Sequence, residues 1–224
     1  MKTIRKVLVI AVCLAAGNAA NAQLGGLGSM LGGSKQSAGA SGDIGANVNT
    51  FVTKSAALSE MTGRAVLAIN AAFASDQSLE EKRAALAAMT SITNPQERAA
   101  KFADLISTEK AEAQKLLDSG EMEKRMGTLS SEKKKMIGQA LLNFGIGSLQ
   151  AIELTKNGQA IIQSAGANPM NLPKIVPVKD ALPLLAKVAG DAGGFLAGVA
   201  KVARGANISV PAVKADSKPA EINV

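Results

Sequence analysis

Long stretches of this chain place apolar residues at steps of three, four or seven, and this spacing constrains the fold more than any other feature. Between Asp43 and about Ala74 the steps form one continuous stripe, which is the repeat of one face of an α-helix. Runs of β-branched and aromatic residues, which are typical of strands, are almost missing. The pattern predicts an all-α protein. The stripe consists of Ile44, Val48, Phe51, Leu58, Met61, Ala65, Ile69 and Ala72.

Capping signals predict where the next helices begin. Ser78 and Glu81 have the spacing of a capping box, in which the hydroxyl and the carboxylate each accept a backbone N–H. Asn94 followed by Pro95 combines a preferred N-cap residue with proline at the first helical position. Ser130 precedes a further helix that is apolar nearly all round, as is typical of the central helix of a bundle.

Other signals predict interruptions. Gly120 is expected to end the helix that follows Pro95, and Lys156-Asn157-Gly158 predicts a stop or a kink, with another turn or two up to Gly166. Three prolines between Asn168 and Pro177 predict a connection.

The last predicted helix, residues 181–204, is the most unusual segment. Asp180 is its predicted cap, Pro183 lies in its first turn, and Gly205 is placed to end it. Each glycine inside a helix costs about 1 kcal/mol relative to alanine, so a regular row of them predicts a close contact with another helix, within this chain or through self-association. Insertion into a bilayer is an alternative, opposed by the charges of Lys187 and Asp191. The row consists of Ala186, Gly190, Gly194 and Gly198.

These elements predict an irregular bundle of roughly four to six helices over residues 43–205. Residues 23–42 are rich in Gly and Ser and predict a flexible lead. Residues 206–224 carry Pro211 and Pro219 among mixed charges, and we expect an extended and mobile tail.

Residues 1–22 have the three parts of a cleavable signal peptide. Lys2, Arg5 and Lys6 form a basic start, an apolar stretch of about ten residues follows, and Ala20-Asn21-Ala22 supplies the small residues that a signal peptidase reads. The apolar run is shorter than the roughly 20 residues that a membrane anchor needs. We expect cleavage between Ala22 and Gln23, and a periplasmic or extracellular location.

Composition excludes several classes of chemistry. The chain has no His, and its one cysteine, Cys13, lies within the predicted signal peptide. The remaining protein therefore lacks thiols, disulfides, the commonest transition-metal ligands and the usual general base. Trp and Tyr are absent as well, which removes most of the aromatic platforms that stack on single-stranded nucleic acid. Without the three basic residues of the signal, 22 basic and 18 acidic residues remain, so the charge gives little reason to expect nucleic acid.

No motif in the remaining sequence specifies a reaction. Ser59, Ser91, Ser107 and Ser148 have no catalytic signature around them, and the Gly-rich lead lacks the ending of a phosphate-binding loop. We therefore expect no cofactor, no metal and no enzymatic activity. The sequence predicts an exported structural or interaction protein with a protein partner. A membrane-active protein that uses the glycine-row helix is the alternative.

The signal peptide gives a direct test. Sequencing the N-terminus of the exported protein should find Gln23 first, because signal peptidase cuts after the second small residue. Intact Met1 on a soluble cytoplasmic protein would contradict this prediction.

Overall fold

The computed structural model describes residues 43–190, 192–214 and 217–223. Helices make up 81% of the described residues, which contain no strand, so the all-α class is confirmed. The helices are α1 (Ile44–Ala71), α2 (Asp76–Thr90), α3 (Pro95–Asp118), α4 (Glu121–Met126), α5 (Ser131–Gly166), a 3-10 helix (Pro169–Ile175), α6 (Val176–Gly190) and α7 (Ala192–Gly205). They form an irregular bundle of six helices when α6 and α7 are counted together.

Helices α1 and α5 form the centre of the bundle and run antiparallel. Gly147 faces Thr62 and Gly158 faces Phe51, so positions advance along α5 as they retreat along α1. Across the middle of both helices nearly every side chain is buried, whichever way it points. The prediction that the helix after Ser130 is central is therefore confirmed, and neighbours on several sides explain most of its apolar surface, although Leu149 and Ile152 stay 39% and 45% exposed.

Gly158 does not stop the helix in which it lies. Helix α5 continues through it to Gly166, so a stop at Gly158 is wrong, the helical turns up to Gly166 are confirmed, and the kink stays a prediction. A Cβ atom at Gly158 would lie only 2.7 Å from Phe51 Cε2 and 2.9 Å from Leu182 Cδ2. Glycine is needed there because two large side chains pack against the backbone, and their burial offsets its low helix propensity.

The remaining helices cover the central pair. Helix α3 packs on α1, where Gly63 admits the ring of Phe102: a Cβ atom would lie 2.7 Å from its Cδ1. Helix α7 reaches α5 through Phe195, whose ring meets Phe144 edge to face with centroids 5.7 Å apart.

Two of the predicted caps are confirmed. The Asn94 side chain accepts hydrogen bonds from the backbone N–H groups of Gln96 and Glu97 at 2.9 and 3.2 Å, with Pro95 at the first helical position. The Ser130 hydroxyl accepts from the N–H of Lys133 at 3.3 Å. Each satisfies backbone donors that the first turn leaves free.

Two other predicted starts are wrong. The cap of α2 is Ser75, whose hydroxyl accepts from the N–H of Ser78, so Ser78 already lies in the first turn. Asp180 lies inside α6, which begins at Val176 directly after the 3-10 helix. The proline-rich connection is itself helical, and Pro169 at its first position loses no hydrogen bond. Pro173 and Pro183 lie inside their helices, so the prediction that Pro183 lies in a first turn is wrong as well.

Helix α7 ends in a Schellman motif. Gly205 is its last residue, as predicted, but the left-handed residue is Asn207, with φ 58°. The N–H of Ile208 donates to Ala203 O at 2.9 Å, and the N–H of Asn207 donates to Arg204 O at 3.0 Å. Asparagine is one of the few residues other than glycine that adopt this conformation readily.

The described part of the C-terminal tail has no helix or strand, but it packs along α5 instead of lying free, and the Ser217 N–H donates to Lys214 O at 3.1 Å in a turn. Ile208 and Ile222 are buried. The Asn143 side chain exchanges two hydrogen bonds with the backbone of Ala220. The prediction of a mobile tail overlooked these contacts because they join positions that are 77 residues apart.

Helix α2 is attached to the bundle largely by polar contacts. None of its residues is buried. The Lys82 ammonium lies 2.7 and 2.8 Å from the two carboxylate oxygens of buried Glu109, and 2.9 Å from Glu112. Asn70 on α1 donates to the same Glu109 carboxylate at 2.7 Å. Lys82 is therefore the cation that balances a buried charge.

Burial lowers the pKa of Lys82, but hydrogen bonds to Glu109 and Glu112 and the charges of those carboxylates outweigh it and raise the pKa above the ordinary lysine value. A lysine whose pKa is higher in the folded state stabilises that state below the unfolded pKa, about 10.4. This contribution is lost as the pH rises through the folded pKa.

We predict that Lys82→Ala lowers the free energy of unfolding at pH 7 by about 2–3 kcal/mol, because Glu109 keeps its charge in a buried site and loses its cation. Urea melts measure this change. The difference from wild type should persist to about pH 10 and shrink above it. Lys156→Ala, at an exposed position on α5, is the matched control and should change stability little. Equal effects of the two substitutions would contradict the role of Lys82 as the cation that balances Glu109.

Candidate functional site

Two members of the glycine row, Ala186 and Gly194, lie on the outward side of α6 and α7. Gly194 is exposed, and no atom lies within 4 Å of where its Cβ would be. Ala186 is exposed too, while a Cβ at Gly198 would meet Leu117 Cδ1 of α3 at 3.3 Å. Gly190 is helical, but its surroundings lie outside the description. Within this chain, Gly198 is therefore the member of the described row that approaches another helix.

The opposite sides of α6 and α7 face the core. Val178, Ala181, Leu185 and Val188 repeat at helical spacing on α6 and are buried, as are Phe195, Val199 and Ala203 on α7. Because these stripes use one side of each helix, the residues between them turn outward. The outward residues are mostly small or basic, although the acidic Asp180 is exposed among them, and we call the small and basic set the outer strip. It comprises Lys179, Pro183, Ala186, Lys187, Gly194, Ala197, Lys201 and Arg204, all exposed.

A cluster of large apolar side chains continues the outer strip at one end of the bundle. Met170, Leu172 and Val176 are 83%, 46% and 49% exposed. They belong to the 3-10 helix and the first residue of α6, beside the end of α5. Large side chains that remain in water as a group mark a contact surface more often than single exposed residues do.

The sequence analysis missed this cluster because it treated residues 168–177 only as a connection. Three large apolar residues between prolines were the available signal. A proline-rich turn has few ways to bury its side chains against the domain to which it belongs.

Length and composition also set this part of the chain apart. The stretch Pro169–Gly205 is, among the described helices, the one that is long and apolar enough to cross a membrane by those criteria. Only 29% of its most apolar window is buried inside the protein. A core helix of the same composition would be mostly buried.

Most of the buried polar groups among the described residues bond to one another or to their own helices. Glu109 accepts from Lys82 and Asn70, as described above, whereas the buried Asn70 Oδ1 has no hydrogen-bond partner. The hydroxyls of Ser91, Ser107 and Ser148 donate to backbone carbonyls of their own helices. In residues 43–190, 192–214 and 217–223, no group of three or more acidic, His or Cys side chains is placed to hold a metal ion.

Ser59 is the exception among these serines. It is buried, and its hydroxyl oxygen has no hydrogen-bond partner. No lysine hydrogen bond reaches it in the described structure. It therefore lacks the base that a serine nucleophile needs.

The lysine run at the start of α5 borders a surface cleft of about 320 Å³ between α5 and the beginning of the tail. The Lys134 ammonium donates to Gly127 O at 3.0 Å, which fixes one lysine on the helix start. The cleft is lined by Lys134, Lys135, Gly138, Gln139, Leu142, Asn207, Ile208, Ser209 and Pro211.

The predicted cleavage residues Ala20, Ala22 and Gln23 lie outside the described residues, as does the Gly/Ser-rich lead.

No protein-family model, curated protein or solved structure matches the chain.

The open surroundings of Gly194 lead to a stability prediction. Gly194→Leu should leave the free energy of unfolding unchanged or raise it by up to about 1 kcal/mol, because leucine is the better helix former and meets no neighbour. Gly158→Leu is the matched control in a packed helix, where overpacking should destabilise by about 1–3 kcal/mol or more. Urea melts of both variants compare the sites, and a strongly destabilised Gly194→Leu monomer would contradict this placement.

Proposed function

We propose that this chain is an exported, non-enzymatic helical protein that acts by binding a protein partner through the outer strip and its apolar end. The observation that carries the proposal is the exposure of Met170, Leu172 and Val176 within the apolar stretch Pro169–Gly205, whose most apolar window is only 29% buried. Removing such side chains from water contributes about 25 cal/mol for each Å² covered. Export is supported by the signal-peptide pattern of residues 1–22.

The character of the strip supports a close contact. Ala186, Gly194 and Ala197 project little beyond the backbone, so a partner helix can approach nearer than it could over leucines. Lys187, Lys201 and Arg204 lie along the same side. These cations favour an acidic partner and speed its encounter with the strip.

A bilayer is the second candidate partner. The observation in its favour is the length and apolar composition of Pro169–Gly205. The exposed lysines would face anionic headgroups, where each contributes about 1 kcal/mol. The buried stripe of α6 and α7 opposes full insertion, because leaving the bundle would uncover Leu185, Phe195 and their neighbours.

Photo-crosslinking in the exporting cell distinguishes a protein partner from a bilayer. A photo-reactive amino acid replaces Met170 or Ala186 in separate variants, and Thr108, an exposed residue of α3, carries it in the control. We expect a discrete protein adduct from both strip positions and none from Thr108. Lipid adducts would instead support the membrane reading. Identical patterns at all three positions would contradict a contact through the outer strip.

A further inference from the structure

The lysine-bordered cleft between α5 and the tail, which we call the α5–tail cleft, has walls that packing holds in place. Gly138 lets the tail come close to the helix, because a Cβ atom there would lie 2.6 Å from Ser209 O. Ile208 is buried, and its N–H donates to Ala203 O at 2.9 Å. Side chain and backbone therefore both fix this part of the tail against α5.

Most of the surface that lines the cleft is apolar. Leu142 is only partly buried and Pro211 is exposed, so both leave hydrocarbon in contact with water. The volume of about 320 Å³ lies at the lower end of the range for small-molecule sites, roughly 300–1,000 Å³. The cleft therefore suits a small apolar group.

Unused polar side chains surround this apolar floor. Four side chains that line the cleft have, within the described ranges, no hydrogen-bond or ion-pair partner. They are Lys135, Gln139, Asn207 and Ser209. An ammonium, two amides and a hydroxyl can all donate hydrogen bonds, so the capacity that they share is to hold a negatively charged oxygen.

The charge of the lining has one sign. Lys134 and Lys135 line the cleft, and none of the described residues that do so is acidic. Glu132 lies one turn before Lys135, but its carboxylate accepts from its own backbone N–H and from Ser130, and these hydrogen bonds hold its pKa below the usual value. Its charge is thus engaged at the start of the helix, and a ligand in the cleft meets two lysines.

We propose that the α5–tail cleft binds a monocarboxylate with an unbranched alkyl chain, such as a medium-chain fatty acid. The Lys135 ammonium donates to the carboxylate in a charge-assisted hydrogen bond, which is stronger than one between neutral groups. The alkyl chain covers Leu142 and Pro211 and removes them from water.

Both parts of the ligand are needed. An anion without an alkyl chain would leave the apolar floor in water, and a neutral alkyl compound would leave the ammonium without its charged partner. The residues that line the cleft do not belong to the outer strip, so the inference does not rest on the proposed function.

Isothermal titration calorimetry of the intact protein with octanoate tests the site, and we expect saturable binding of one octanoate per chain. Butanoate, which has a shorter alkyl chain, should bind about tenfold more weakly or worse, because it covers less of the floor. 1-Octanol, which has the chain without the charge, should also bind about tenfold more weakly. Absence of octanoate binding, or equal binding of octanol, would overturn the proposal.

Two lysine variants locate the bound carboxylate. Lys135→Gln should weaken octanoate binding about tenfold, because an ammonium of the lining is lost. Lys133→Gln removes the same charge from the same turn of α5, but Lys133 does not line the cleft, and binding should change little. Undiminished binding by Lys135→Gln, or an equal loss in both variants, would overturn the proposal.

A second pair of variants locates the alkyl chain. Pro211→Asp should weaken octanoate binding about tenfold or more, because it places a carboxylate beside the bound anion. Ala212→Asp, at the exposed neighbouring position outside the lining, is the matched control and should have a much smaller effect. Equal affinities of these two variants for octanoate, while circular dichroism shows both to be helical, would also overturn the proposal.

Discussion

The packing of phenylalanine rings against helical glycines holds this bundle together. The chain has five Phe and neither Trp nor Tyr, so few side chains are available to fill space between helices. All five are buried. Phe51 lies over Gly158 and Phe102 over Gly63, each so near that a Cβ atom would collide with the ring. These contacts bring α1 close to α5 and α3, and the alanine-rich surfaces between them can then pack without voids.

Glycine therefore has different structural roles at different places in this fold. Gly63, Gly147 and Gly158 are required by their neighbours, whereas Gly194 faces open space. The sequence analysis singled out the row that contains Gly194 because its spacing is regular. It treated Gly158 as a helix stop because the local residues resemble one. What decides the role of a helical glycine is the side chain that lies opposite, and that residue is distant in the chain: 39 positions for Gly63 and 107 for Gly158.

Local features of the fold were predictable and distant ones were not. The stripe of α1, the caps at Asn94 and Ser130 and the central place of α5 depend on residues within a turn or two of each other. The start of α2 was misplaced because Ser75 and Ser78 both resemble caps, and the earlier one bonds the first turn. The contact between Asn143 and Ala220 could not be predicted, since an asparagine in an apolar helix does not indicate its partner. Of the candidate surface, the sequence identified the small residues but not the apolar end at Met170.

Different helices are held on the bundle by different kinds of contact, and these contacts determine which helices open most easily. Helix α2 contributes no buried side chain and is held chiefly through Lys82 and Thr90, which bond Glu109 and Arg64. Segments with few buried apolar contacts open at lower free energy than the core does. Helices α6 and α7, in contrast, bury a full stripe while their outer sides stay exposed. The outer strip is thus backed by helices that pack on the core, and because α7 leads through Asn207 directly into Ile208, any shift of α7 would also move the first buried residue of the tail.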